Sequence, residues 1–202
     1  MGGELTYECI GPNQYKVRLA LYRDCNGINI AGTQTVTVRR AAPCVVGNIA
    51  SISMPFVGKT DITPICATAN SRCASPTGVY GIEKFMYEQT VTVPAGCSNL
   101  IFSFQQNARN NVITTLNNPG SQDLYLEART DNTVSPCNKN PIYSNPPTAM
   151  VCRNQPYVYN QGAVDPDGDS LVFSLVAPKR TPTNAVNYNP GFSALAPFGA
   201  AS

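Results

Sequence analysis

Apolar and polar residues alternate with a period of two along much of this chain, and this pattern constrains the fold more than any other feature. The clearest run places Tyr15, Val17, Leu19 and Leu21 at alternate positions, as expected of a strand with one buried face. The pattern recurs at residues 4–10, 33–39, 49–54, 80–93, 100–104 and 124–128. No segment has helical periodicity over more than a turn or two. We therefore predict an all-β protein of short strands in a β-sandwich.

Two further local features refine this prediction. Residues 4–10 should pair with the next strand as a hairpin, because Gly11, Pro12 and Asn13 are turn residues. Residues 111–116 are apolar enough for another strand or for a short helical turn.

A polar, proline-rich segment near residues 132–147 interrupts the alternation. Strand-like residues resume at Tyr157, Tyr159, Leu171, Phe173 and Leu175. Only about 60 residues remain there, whereas an immunoglobulin-like sandwich needs about 100. We predict two units, 1–134 and 135–202, of which the second is an incomplete β-sandwich. Either the natural chain continues, which we favour, or a partner supplies the missing strands by edge addition.

Eight cysteines and no histidine indicate disulfides in an oxidising, extracytoplasmic location. Cys66 and Cys73 bracket a short polar loop, and we predict that they pair. Three further pairings are guesses among the 105 connectivities that eight cysteines allow: Cys9 with Cys25, Cys44 with Cys97, and Cys137 with Cys152.

Three carboxylates, Asp165, Asp167 and Asp169, occupy alternate positions around Pro166 and Gly168, directly before an apolar run. Like charges this close repel unless they are neutralised, and calcium takes six to eight oxygen ligands of this kind. We predict a calcium site formed by the three aspartates. The alternative is a solvated Asx-type turn without an ion, since Asp, Pro and Gly are ordinary turn residues.

Composition argues against several classes of function. The formal net charge of +2 is too small to suggest nucleic acid as a partner. No apolar stretch approaches the ~20 residues that span a bilayer. Nucleophilic catalysis usually needs a neighbouring base, most often histidine, and we predict that the chain is not an enzyme.

Two polar features could serve a ligand or merely the fold. Arg109 is interpreted as a residue that donates to backbone carbonyls or pairs with Glu127, rather than as a binding edge. Ten tyrosines raise the possibility of a carbohydrate-binding platform. Several of them, such as Tyr7, Tyr22 and Tyr125, lie in predicted strands, where tyrosine is simply favoured.

Segment 165–175 (DPDGDSLVFSL) resembles the calcium-associated segment of cadherin-like and other immunoglobulin-like modules of bacterial surface proteins. Residues 2–9, 21–25 and 109–111 resemble the N-terminal region of large secreted surface proteins of Bacteroidota. These are the gliding-motility-associated and adhesin-like proteins exported by the type 9 secretion system. Many relatives carry a Cys-Cys pair where this chain has Asn107-Ala108, so the family's disulfides cannot be transferred.

The resemblance implies a structural and adhesive module of the bacterial cell surface, from the N-terminal part of a long protein that serves attachment or surface motility. Its expected partners are other domains of the same chain, an unidentified surface glycan or protein, the secretion machinery or neighbouring subunits. The alternatives are a carbohydrate-binding module and a strand-accepting subunit of an extracellular filament.

Overall fold

A computed structural model describes residues 2–66, 68–78, 80–135, 137–147 and 158–197. Within these residues the protein has no α-helix and one 3₁₀ turn, Pro119–Ser121, and no helix long and apolar enough to cross a bilayer. The strands are β1 (Gly2–Gly11), β2 (Gln14–Asp24), β3 (Thr33–Arg40), β4 (Gly47–Asp61), β5 (Ile82–Thr92), β6 (Leu100–Gln106), β7 (Leu124–Thr130), β8 (Ile142–Tyr143) and β9 (Ala163–Val164). The predicted all-β class is confirmed.

Strands β1 to β7 form one antiparallel sheet in the order β1-β2-β5-β4-β3-β6-β7. Strand β4 belongs to both halves of it, because residues 47–55 pair with β3 and residues 56–61 pair with β5. The register shifts between Phe56 and Gly58, and such a bulge bends a strand. The half containing β1, β2 and β5 therefore packs against the half containing β3, β6 and β7 in a sandwich-like arrangement.

The core lies between these two halves. Tyr15, Val17, Leu19 and Leu21 of β2 are all fully buried, so the alternation in the sequence marks the inward face. The ring of Phe102 in β6 lies 5.5 Å from that of Tyr7 and 5.7 Å from that of Tyr15. Aromatic side chains from both halves thus share one hydrophobic cluster.

Among the described residues, three disulfides tie the fold together: Cys9–Cys137, Cys25–Cys73 and Cys44–Cys97. The predicted Cys44–Cys97 pair is confirmed. Cys66 is exposed and unpaired in the part of the chain that the structure describes, and Cys152 lies outside that part.

The other predicted pairs are wrong for reasons of topology. Cys9 lies opposite Tyr15 in the β1–β2 hairpin, so Cys25 is about ten residues, or roughly 33 Å, further along the strand direction. Cys73 does not pair with Cys66, because the loop after β4 folds over the end of β2, where the amide of Cys25 donates to the carbonyl of Gly81 (3.0 Å). Cys137 is joined to Cys9 rather than to Cys152.

After β7 the chain contacts the sheet again in two places, near the paired strands β8 and β9 and near Asn187. Strands β8 and β9 pair with each other, and Asn140 exchanges two hydrogen bonds with the backbone of Tyr7 (2.9 and 3.0 Å). Further along, the amide of Asn187 donates to the side chain of Gln122 (2.6 Å) and its carbonyl accepts from the amide of Asn117 (2.9 Å). Residues 111–116, expected as a strand or a helical turn, form turns that end in an isolated bridge between Leu116 and Tyr188.

The predicted strand around Leu171, Phe173 and Leu175 has no strand partner among the described residues. Its apolar side chains lie in solvent, with Val172 94% and Leu175 76% exposed. The contacts above connect residues 137–197 to the sheet, and the division into units 1–134 and 135–202 stays a prediction.

Candidate functional site

The acidic residues form a turn held by its own backbone. The Asp165 carboxylate accepts from the amides of Asp167 (2.8 Å) and Asp169 (3.3 Å). Gly168 has a φ of +84°, a conformation that glycine adopts without the steric cost a side chain brings. This is the geometry of an Asx turn.

Asp167 connects this turn to the segment that follows Cys137. Its carboxylate accepts from the amide of Lys139 (2.8 Å) and lies 3.4 Å from that residue's ammonium group. The oxygens of Asp165, Asp167 and Asp169 do not all lie within 4.8 Å of one another. Calcium binding here stays a prediction.

Among the described residues, one group of potential metal ligands is compact, namely Cys25, Cys73 and Glu83. The two sulfurs form a disulfide, so they are not available as thiolates. Glu83 is paired with Lys59 (2.6 Å) and Arg23 (3.5 Å). This cluster is therefore structural.

Glu127 of β7 is the centre of a charged network. Its carboxylate accepts from Lys179 (2.7 Å), Tyr125 (2.9 Å), Arg129 (3.0 Å) and Arg39 (3.3 Å). Burial alone would raise the pKa of Glu127, but donation by Lys179, Tyr125 and Arg129 outweighs it and lowers the pKa below the ordinary value.

Arg109 does not belong to this network. It donates to the backbone carbonyls of Asp123 (3.1 Å) and Lys179 (3.0 Å), which is the first of the two arrangements expected for it. Burial lowers its pKa. Together, Arg109 and Glu127 hold the backbone and the side chain of Lys179 against the sheet.

An open cleft of about 750 Å³ lies where the two edge strands of the sheet, β1 and β7, approach each other. One side is formed by Gly2–Leu5 of β1 and by Tyr22 of β2, and another by Leu126 and Glu127 of β7. The hairpin that contains β8 and β9 provides the outer wall through Tyr143, Asn145, Tyr159 and Gln161.

The cleft presents three tyrosines and several groups that form hydrogen bonds. Tyr143 and Tyr159 are 39% and 40% exposed, whereas Tyr22 is buried. Burial, followed by the charge and hydrogen bond of Glu4, raises the pKa of Tyr22 far above its ordinary value, so its hydroxyl stays protonated. The Tyr159 hydroxyl donates to the carbonyls of Asn145 (3.3 Å) and Pro146 (3.2 Å), which fixes the hairpin.

The outer edge of β1 borders the same cleft. Both backbone groups of Tyr7 bond to Asn140 rather than to β2. Because the pairing alternates along an antiparallel ladder, the backbone groups of Gly3 and Leu5 also point away from β2. No strand of the described chain pairs with them.

A second, smaller cavity of about 270 Å³ lies on the other side of Tyr143. It is enclosed by the outer face of β1 and β2 and by Asn140 and Pro141. Arg18 in its lining pairs with Glu8 (2.9 Å) and with Glu88 (2.8 Å), and Lys84, also in the lining, lies 5.9 Å from the centre of the Tyr22 ring.

Comparison with known proteins gives no independent assignment of these sites. No family model matches the chain, and no match was found among curated proteins or among solved structures. The site is therefore interpreted from its own chemistry.

Sequence reasoning missed the cleft. The sequence predicts Tyr22 and Tyr159 as strand residues, and the residues around Tyr143 carry no motif. The three belong to separate segments, and only the return of the chain across β1 brings them together.

Proposed function

We propose that this chain is an extracellular structural and adhesive module, from the N-terminal part of a long bacterial surface protein that serves attachment or surface movement. The resemblance of its motifs to surface proteins of Bacteroidota suggests export by the type 9 secretion system. The chemistry compatible with this location is the set of three disulfides, which persist in oxidising compartments.

The observation that carries the proposal is the Cys9–Cys137 disulfide. It joins the first strand to the segment that leaves the sheet, with a sequence separation of 128 residues. Tension applied between the two ends of the chain therefore passes through a covalent bond, and the strands between these cysteines carry none of it. The other two disulfides lie within the shielded region. Such an arrangement suits a protein that links a cell to a surface under load.

The proposal includes a second, immunoglobulin-like or cadherin-like unit that begins after the sheet. Its support is the run at residues 171–176, where Val172, Phe173, Leu175 and Val176 are exposed, because contiguous exposed apolar side chains mark a surface that is covered by another part of a protein or by a partner. Asp165, Asp167 and Asp169 lie directly before this run, where calcium would stiffen the junction. Binding would require the Asp167–Lys139 ion pair to open, which makes the site sensitive to competition between lysine and the ion.

The test uses a bacterium that carries the gene. Antibodies against the folded, oxidised domain should label intact cells, and deletion of the coding sequence should lower attachment to a surface or the rate of spreading. An antigen found only inside the cell, or a deletion strain that attaches and spreads normally, would contradict the proposal.

A second candidate, a subunit of an extracellular filament, is favoured by the same exposed run. In that case residues 171–176 of one copy would add to a sheet edge of the next. The isolated chain would then form ordered polymers, and a Phe173→Asp substitution would keep it monomeric.

A further inference from the structure

The cleft between β1, β7 and the β8–β9 hairpin contains the chemistry of a sugar-binding site. Tyr143 and Tyr159 expose part of their rings, and aromatic rings offer apolar faces with a polar tip. Glu4, Asn145 and Gln161 add carboxylate and amide groups to the lining. The volume of about 750 Å³ falls within the range of ligand pockets, roughly 300–1,000 Å³.

The charges of the cleft disfavour an anionic ligand. Arg23 is the one cation among the described residues that line it. Its guanidinium lies 3.5 Å from Glu83 and donates to the backbone carbonyls of Asp24 and Cys25. No lining cation is therefore free to pair with a sulfate, phosphate or uronate group, while the carboxylates of Glu4 and Asp24 would repel one.

The free edge of β1 is too short for an added peptide strand. Gly3 and Leu5 point their backbone groups outward, but Asn140 already bonds to both backbone groups of Tyr7. Strand addition relies on a row of main-chain hydrogen bonds along an edge. The backbone N–H and C=O groups of Gly3 and Leu5 instead suit the hydroxyl groups of a sugar, because each hydroxyl can both donate and accept a hydrogen bond.

We infer that this cleft binds a neutral oligosaccharide, which packs against Tyr143 and Tyr159 and forms hydrogen bonds with Glu4 and the outer edge of β1. The role of this sugar as the ligand of an adhesive module rests on the proposed function. The binding itself is a property of the isolated chain, so its failure would leave the attachment phenotype intact, and loss of that phenotype would leave the binding intact.

The experiment measures binding of the oxidised 202-residue chain to three sets of probes: neutral oligosaccharides, their sulfated or uronic acid counterparts, and an extended basic peptide. Saturable binding of at least one neutral sugar is expected, with none for the acidic set. Tyr143→Ala and Glu4→Gln should each weaken that binding at least tenfold, while Tyr143→Phe should retain it. Phe173→Ala is the matched control, because Phe173 is exposed and lies outside the cleft.

Amide chemical shifts distinguish a lost site from a lost fold. The bound sugar should shift the amides of Gly2–Leu5, and the melting temperature of each variant reports whether it remains folded. The inference is overturned if no neutral sugar binds, if Tyr143→Ala and Glu4→Gln bind as tightly as the unmodified chain, or if the shifts map elsewhere. Binding of the basic peptide but of no neutral sugar would also overturn the inference, because the cleft would then be a peptide-binding site.

Discussion

Breaking the Cys9–Cys137 disulfide should change how far the molecule extends under tension. In the oxidised protein this bond keeps the chain between Cys9 and Cys137, a sequence separation of 128, from bearing the applied force. A fully extended chain spans about 3.3–3.6 Å per residue, so complete reduction should release roughly 420–460 Å of additional length.

The other disulfides give this prediction an internal check. If Cys9→Ser and Cys137→Ser are combined while Cys44–Cys97 remains closed, the shortest covalent path has about 35 residues before Cys44 and about 40 after Cys97. Unfolding should then release about 75 residues, or roughly 250–270 Å. The matched control combines Cys44→Ser with Cys97→Ser, which leaves the bypass intact and should add no length to the oxidised trace.

The assay is single-molecule force spectroscopy with handles coupled to peptide tags at both ends rather than to thiols. Detachment of the residues after Cys137 from the sheet should occur in every trace, and the extension at that point serves as the common reference. Equal extension of the oxidised and reduced proteins beyond that reference would refute the load-path reasoning, as would a lengthened trace from the control variant.

Three further predictions concern the site and the core. Calcium should raise the melting temperature of the full chain, and Asp167→Asn should abolish that rise; an unmodified protein whose melting temperature ignores calcium would exclude the proposed site. Because the pKa of Glu127 lies lower in the folded protein than its ordinary value of 4.5, ionised Glu127 stabilises the fold above that pH, and the stabilisation fades as the pH falls through the folded pKa. Glu127→Gln should therefore flatten the acid side of a plot of unfolding free energy against pH, and an unchanged slope would argue against the network. Phe102→Ala should cost about 3–5 kcal/mol of unfolding free energy in chemical denaturation, whereas Phe173→Ala, at 62% exposure, should cost nearly nothing; similar losses would contradict the assigned core.

Strands with one buried face were predictable from the sequence, and β2 is the clearest example. Tyr15 to Leu21 alternate in the sequence and are fully buried at every second position, since period two is a local property of a strand. The hairpin with β1 followed from its turn residues, and Asn13 indeed has a positive φ of 56°.

The disulfides were less predictable because they join residues that are distant in the sequence and come together only in the folded sheet. Cys66 and Cys73 are close in the chain, yet the loop between β4 and β5 turns Cys73 towards Cys25. Cys9 and Cys137 meet only because β1 forms one edge of the sheet and the chain passes it after β7.

The two candidate sites also differ in how far local sequence predicts them. Asp165, Asp167 and Asp169 form a local motif, so the turn could be recognised, although the lysine that engages Asp167 comes from 28 residues earlier. The cleft depends on Tyr22, Tyr143 and Tyr159, which no spacing relates. The cleft forms only because the chain beyond β7 passes the outer edge of β1.

Tryptic digestion without reduction tests the central claim most directly. Cleavage after lysine and arginine places every cysteine of the sequence in a different peptide, so each disulfide has a distinct mass. The account predicts that the peptide of residues 1–16 is linked to that of residues 130–139 through Cys9 and Cys137. A link between residues 1–16 and 24–39, through Cys9 and Cys25, would place the sheet in the path of tension and contradict the proposed role.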